Sequence, residues 1–261
     1  MILICLAVCL ASTMLGAISG IGGGVIIKPM LDLTLTLGMS RISLLSSMAV
    51  LSMSLFSVGK NCVQKDRQVL SMRIAVPLAA GSTAGGIVGK MLFSRLSAYL
   101  AADQLVKVVQ NGVLFLLIGA VALAAFRTRG EQTPADRTPL YGLLVSLMLG
   151  MMSAFLGIGG GPMNMLALTA FYRMRHKEAA LYSLFIIVFS QTAGILTALL
   201  GGSTLPDGSM IVTACAAGIL GGILGRSLSR RMSNAAVRAL YNGALIFILV
   251  LCVANIITAI T

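Results

Sequence analysis

A chain of 261 residues that is 58% hydrophobic and only 10% charged, with a mean hydropathy of +1.00, holds more apolar surface than one soluble core of this size can bury. It reads as an integral membrane protein. The net charge of +12 does not make it a nucleic-acid binder, because its 19 Lys and Arg lie mostly in the connections between apolar runs, where membrane topology puts them.

In chain order the apolar runs cover about residues 2–37, 42–58, 74–93, 105–126, 140–172, 180–200, 210–225 and 236–259. Most approach the ~20 residues a helix needs to cross ~30 Å of hydrocarbon, and strand-like alternation is missing. The expected fold is an all-α polytopic membrane protein with about eight transmembrane segments. The first run opens MILICLAVCLASTM without a basic stretch, so it is expected to belong to the body of the fold and not to a cleaved signal. Cys5, Cys9, Cys62, Cys215 and Cys252 have no CxxC spacing, and packing is their expected role; no metal site and no cofactor are expected.

The chain is written twice. GIGGG stands at 20–24 and again at 157–161, a separation of 137; GGIVGK at 85–90 returns as GGILGR at 221–226, 136 later; QNG at 110–112 returns as YNG at 241–243, 131 later. Lys90, Arg95 and Lys107 recur as Arg226, Arg231 and Arg238. Matches in one order at nearly constant spacing indicate a duplication. The halves divide as 1–133 and 134–261 within the polar linker 127–139, and together they form one transmembrane domain of two four-segment repeats. In such proteins substrate sits between the repeats near the midplane.

The first and fifth runs, about 35 residues each, either cross once with an unwound middle or turn back as re-entrant hairpins. Single crossings make the halves parallel; re-entrant runs make them inverted. Inverted halves put more of the 19 Lys and Arg inside and are slightly favoured, although the recurring basic pairs then face opposite sides. Both arrangements put the 173–177 and 226–238 basic groups inside.

Glycine tolerates positive φ, so GIGGG at membrane depth is expected to break a helix in segments 1 and 5 and to bare backbone N–H groups. Helices restarting after the glycines present N-termini suited to an anion. This makes Gly22, Gly23, Gly24, Gly159, Gly160 and Gly161 candidate substrate-binding residues, with close helix packing as the alternative. Lys28 could add positive charge to such a site. Asp32, at i,i+4 from Lys28, is the one acidic residue within an apolar run and the candidate for proton coupling; the alternative is that the pair snorkels at an interface. Met165 and Thr169 stand at the matching positions of the second half, so two equivalent charged half-sites are excluded. Ser46, Ser47, Ser183, Asn164 and Gln191 complete the candidates, either as ligand donors or as links between helices, and Asn111 and Asn242 are amides of the same kind. His176 reads as a solvated loop residue.

Two halves, each with an apolar helix, GIGGG, a proline-bearing stretch, a Ser-bearing helix start (SRISLLSSMAVL in the first), a basic turn and a GGxxG(K/R) helix, resemble the TauE/SafE family of sulfite exporters over essentially the whole chain. Gly20, Gly22, Gly23, Gly24, Gly157, Gly159, Gly160, Gly161 and Pro29 match the family's motif positions, and Ser46-Ser47 stands for its usual Thr-Ser pair. The second half departs, with Ser183-Leu184 there and Pro162 directly after the glycines. The resemblance implies a secondary transporter of a small sulfur-containing anion across a bacterial-type inner (plasma) membrane. The expected partners are that anion and the lipid bilayer, with no nucleic acid; a homo-oligomer stays open. A passive anion channel and an intramembrane enzyme are the alternatives, the latter poorly supplied with nucleophile–base pairs.

Overall fold

The computed structural model describes residues 1–35, 37–63, 70–100, 103–127, 138–156, 160–202 and 204–260. Among them are ten α-helices and no strand. They are α1 (Ile2–Ser19), α2 (Gly24–Thr34), α3 (Met39–Val63), α4 (Met72–Leu100), α5 (Asp103–Arg127), α6 (Pro139–Leu156), α7 (Gly161–Leu166), α8 (His176–Leu200), α9 (Gly208–Arg231) and α10 (Asn234–Ile260). All except α2 and α7 are long and apolar enough to cross a membrane, which makes eight candidate spans. The point that divides the proposed halves, 133/134, lies outside the described residues.

Two of the eight apolar runs hold more than one helix. Residues 2–37 contain α1 and the 11-residue α2, which at 1.5 Å per residue is only about 16 Å long. Residues 140–172 contain α6, α7 and a π-helical turn at Ala167–Phe171, where the Tyr172 N–H reaches back five residues to the Ala167 carbonyl.

At the end of α1, Gly20 takes φ 76° and returns its N–H to the Gly16 carbonyl at 2.9 Å. Gly22 and Gly23 follow at φ 84° and 73°, and the chain folds back on itself. A Cβ on Gly23 would lie 2.7 Å from the Ser12 carbonyl, and one on Gly16 would meet Gly23 N. So α2 returns alongside α1. It runs between two apolar clusters: Val25 and Ile26 join Leu78, Ile118 and Ile186, whereas Ile27 and Leu31 join Cys5, Cys9, Ile42 and Met53. A helix of 11 residues is marginal on its own, and this burial on two sides holds it.

Contact registers set the helix directions. Going up α9, Gly218, Gly222 and Arg226 meet Ala49, Met53 and Ser57 of α3, while Gly221 and Gly225 meet Thr13 and Ala17 of α1. Thus α1, α3 and α9 run the same way. Going up α4, Gly81, Gly85 and Gly89 meet Leu143, Leu147 and Met151 of α6. Ser71, just before α4, donates its N–H to Tyr182 Oη at 2.7 Å, and Lys90 Nζ donates to the Gly194 carbonyl of α8 at 2.9 Å. These contacts make α4, α6 and α8 a second parallel set. Val50 and Ile187 both face Gly22, and Ser57 and Asn61 meet Lys177 and Ala180 across a cavity, so α3 and α8 are antiparallel and the two sets oppose each other. The glycines let backbones approach within a small residue's width, the usual device where lipid removes the hydrophobic drive between helices. Large apolar residues such as Leu116, Leu123, Leu140 and Val212 face outward, as a membrane-embedded surface requires.

Candidate functional site

The first glycine stretch lies at the centre of the protein, every residue from 16 to 24 being buried. Gly23 caps α2 and its carbonyl accepts from the N–H groups of Ile26 and Ile27, both at 2.9 Å. The earlier amides of that first turn have no intrahelical acceptor, as at any helix start. Two hydroxyls fix the stretch. Ser183 Oγ donates to the Gly20 carbonyl at 2.6 Å, and Ser46 Oγ to the Gly24 carbonyl at 3.4 Å. A Cβ on Gly20 would come within 2.5 Å of Ala180 Cα, and one on Gly22 within 2.7 Å of Ile187 Cδ1.

The second stretch meets the first. Gly160, at φ 81°, caps α7, and its carbonyl accepts from Asn164 N–H at 2.8 Å. Pro162 stands in the first turn, where its missing N–H is no loss. A Cβ added to Gly161 would run into the Ile21 carbonyl, so the two stretches touch backbone to backbone. Gly157 and Gly159 lie outside the described residues. Asn164 is 3% exposed, and its Nδ2 has no hydrogen-bond acceptor among the described residues. That amide borders Gly160, with Ser153 Oγ on the same side.

Lys28 is buried on α2. Its Nζ donates to Gln110 Oε1 at 3.2 Å and to the Leu156 carbonyl at 3.1 Å. Gln110 Nε2 in turn donates to the Phe155 carbonyl at 3.2 Å. The ammonium therefore sits on the Leu156 carbonyl at the buried C-terminal end of α6, just before the second glycine stretch, where helix-dipole charge favours a cation.

Gly22, Gly23, Gly24, Gly160, Gly161, Ser46, Ser183, Asn164 and Lys28 thus converge on one buried region. Ser47 is half-buried on α3, and Asp32 half-buried on α2 one turn beyond Lys28. Gln191 is buried on α8, one turn beyond Ile187, whose side chain packs against Gly22. His176 begins α8 with its ring 5.8 Å from that of Tyr241, so it is an aromatic contact rather than a loop residue. Cys5, Cys9 and Cys252 are buried free thiols, in keeping with a packing role; the side chain of Cys62 lies outside the described residues.

Sequence reading passed over Gln110, Ser153 and Tyr241, whose hydroxyl donates to the Pro162 carbonyl at 3.4 Å. Gln110 and Tyr241 act through contacts far apart in the chain, which spacing does not reveal, whereas Ser153 bonds the Gly150 carbonyl of its own helix. The one available signal was QNG recurring as YNG, which marks Gln110 and Tyr241 as matching positions.

The family model described as Sulfite exporter TauE/SafE matches residues 4–252. No curated protein and no solved structure matches the chain. With the match spanning nearly its whole length, and with eight helices able to cross a membrane, the chain belongs to the sulfite exporter TauE/SafE family of membrane transporters.

Proposed function

We propose that this protein is a secondary transporter that carries a small sulfur-containing anion, of the sulfite, sulfonate or sulfoacetate type, across a bacterial-type inner membrane. The observation that carries the reading is Asn164 Nδ2, a buried donor with no acceptor among the described residues, held where the two glycine stretches meet. A buried amide without a partner is costly, and an oxyanion accepts from it. The first-turn amides of α2 and the positive charge of Lys28 suit the same ligand, while Ser46 and Ser183 hold the glycine backbone in place. Because Gly161 abuts the Ile21 carbonyl, a ligand held by both stretches requires that contact to part.

The two halves form inverted repeats, broken at each GIGGG. The helix directions support this arrangement: α1 and α6, α3 and α8, and α4 and α9 hold matching sequence positions and run oppositely. Cross-half bonds support it too. Arg226 Nη1 donates to the Ser57 carbonyl at 2.8 Å and Lys90 Nζ to the Gly194 carbonyl at 2.9 Å, and Ser57 and Gly194 are 137 apart like the two GIGGG copies. Rocking of one half against the other gives alternating access, with Asp32 the candidate for proton coupling.

The test is uptake of labelled sulfite, sulfoacetate and taurine by liposomes carrying the purified protein. Saturable flux of one of them is the expected result. Absence of flux for every sulfur anion, with the protein folded, overturns the reading, and flux without saturation favours a passive channel.

A further inference from the structure

Lys90 and Arg226 close the repeated GGxxG(K/R) motif, at matching positions of the two halves. Each reaches across to the other half: Lys90 Nζ donates to the Gly194 carbonyl of α8 at 2.9 Å, and Arg226 Nη1 to the Ser57 carbonyl of α3 at 2.8 Å. A lysine near the end of a membrane span ordinarily turns its ammonium out to the interface. Lys90, in the span Met72–Leu92, is instead half-buried with its ammonium on the backbone of α8.

Gly194 stands on the face of α8 that packs on the first glycine stretch. Ser183 bonds Gly20, Ile187 packs against Gly22, and Gln191 and Gly194 continue that face at i+4 and i+7 from Ile187. The step from Ile187 to Gly194 is about 10 Å of helix. A Cβ on Gly194 would meet nothing within 4 Å among the described residues, so there is open space beside the carbonyl that Lys90 bonds. Lys90 is also within electrostatic reach of the central site: the Asp32 carboxylate attracts the Lys28 ammonium, and Lys90 repels it. Two cations that repel one another at membrane depth are both stabilised by an anion near them.

The matching face of α3 is polar in the same way. Val50 faces Gly22, and Ser54 and Ser57 follow at i+4 and i+7; they are 0% and 1% exposed, and neither Oγ has a partner among the described residues. Such hydroxyls are costly in a membrane unless something polar passes them. Because α3 and α8 are antiparallel, the two faces lead from Gly22 toward opposite sides. With the 173–177 basic group inside, the α8 face leads outward.

We propose that Lys90 is a second cationic ligand of the transported anion, met on the outer side of the glycine stretches, and that it favours anions with two negative charges. This role rests on the transport reading. A carbonyl is neutral, so an oxyanion arriving beside Gly194 is the stronger acceptor and takes the ammonium from it. The Gln191 amide, one turn nearer Gly22, is the next polar group on the way in. Coulomb attraction scales with the charge of the ligand, so Lys90 attracts a dianion about twice as strongly as a monoanion.

The experiment is liposome uptake of whichever labelled sulfur anion the wild type carries, inhibited by unlabelled sulfoacetate or by sulfoacetamide, which has nearly the same shape but one negative charge in place of two. In Lys90→Gln the sulfoacetate concentration that halves uptake is expected to rise at least about tenfold, and that of sulfoacetamide only about threefold, because half the charge means half the energy lost. Lys90→Arg, which keeps the charge and supplies the residue type found at position 226, is expected to keep the wild-type ratio between the two inhibitors. A packing defect would instead shift both inhibitors alike and lower the melting temperature. Equal shifts for the two anions, no shift for either, or inhibition of the wild type by neither overturns the proposal and leaves the transport reading in place. If the wild type carries no sulfur anion, the transport reading fails and this role fails with it.

Discussion

Ser183 on α8 donates a 2.6 Å hydrogen bond to the carbonyl of Gly20, 163 residues earlier in the chain. The bond is buried and fixes a backbone turn that only a residue tolerant of φ 76° can make. Ser183→Ala leaves that carbonyl without its donor, at a cost of about 1–3 kcal/mol. The melting temperature of the purified protein is expected to drop by several degrees and the transport rate to fall. An unchanged melting temperature would show that the turn holds itself.

Gly161 touches the Ile21 carbonyl with no space for a methyl group, whereas a Cβ on Gly243 of α10 meets nothing within 4 Å. Gly161→Ala is therefore expected to destabilise the fold by at least about 1–3 kcal/mol, the range of overpacked cores, and to abolish transport. Gly243→Ala, in a helix interior, is expected to be neutral or to stabilise by about 0.5–1 kcal/mol. Yield of monodisperse protein on size-exclusion chromatography separates the two.

This pair of glycines marks what the sequence makes legible. The apolar runs, the two GIGGG copies and the family resemblance are local or repeated features, and they lead to the helices and to the first stretch. Which glycine needs its lack of a side chain is set by a partner far along the chain: Gly161 faces Ile21, and Gly221 faces Thr13. The same limit applies to Lys28. Its i,i+4 spacing to Asp32 can be read directly, but its bonds to Gln110 and Leu156, 82 and 128 residues away, cannot.

Lys28 joins α2 to the end of α6 and to Gln110 through charge-assisted bonds, which contribute about 1.5–3 kcal/mol each. Lys28→Met is expected to lower the melting temperature and to reduce transport strongly; Gln110→Leu is expected to do less. Because the two side chains share one network, the double variant should be little worse than Lys28→Met alone. Additive losses in a double-mutant cycle would contradict the coupling.

Inverted halves place the C-terminal end of α3 and the N-terminal end of α8 on one side of the membrane. Single cysteines put at Lys60 and Lys177 in a cysteine-free background should react with an impermeant maleimide from the cytoplasmic side only. One at Thr204, between α8 and α9, should react from the opposite side. Labelling of positions 60 and 177 from opposite faces would mean parallel halves.

Asn164 tests the central claim most directly. Its Nδ2 makes no bond to the described residues, so Asn164→Ala should leave the melting temperature nearly unchanged while removing an interaction with the transported anion. The measurement is the initial rate of labelled sulfur-anion uptake into liposomes, wild type against Asn164→Ala, at matched protein content. The account predicts at least about a tenfold loss in rate at limiting anion, corresponding to about 1.4 kcal/mol, with stability retained. Wild-type flux in the variant would contradict a binding site at the meeting of the two glycine stretches.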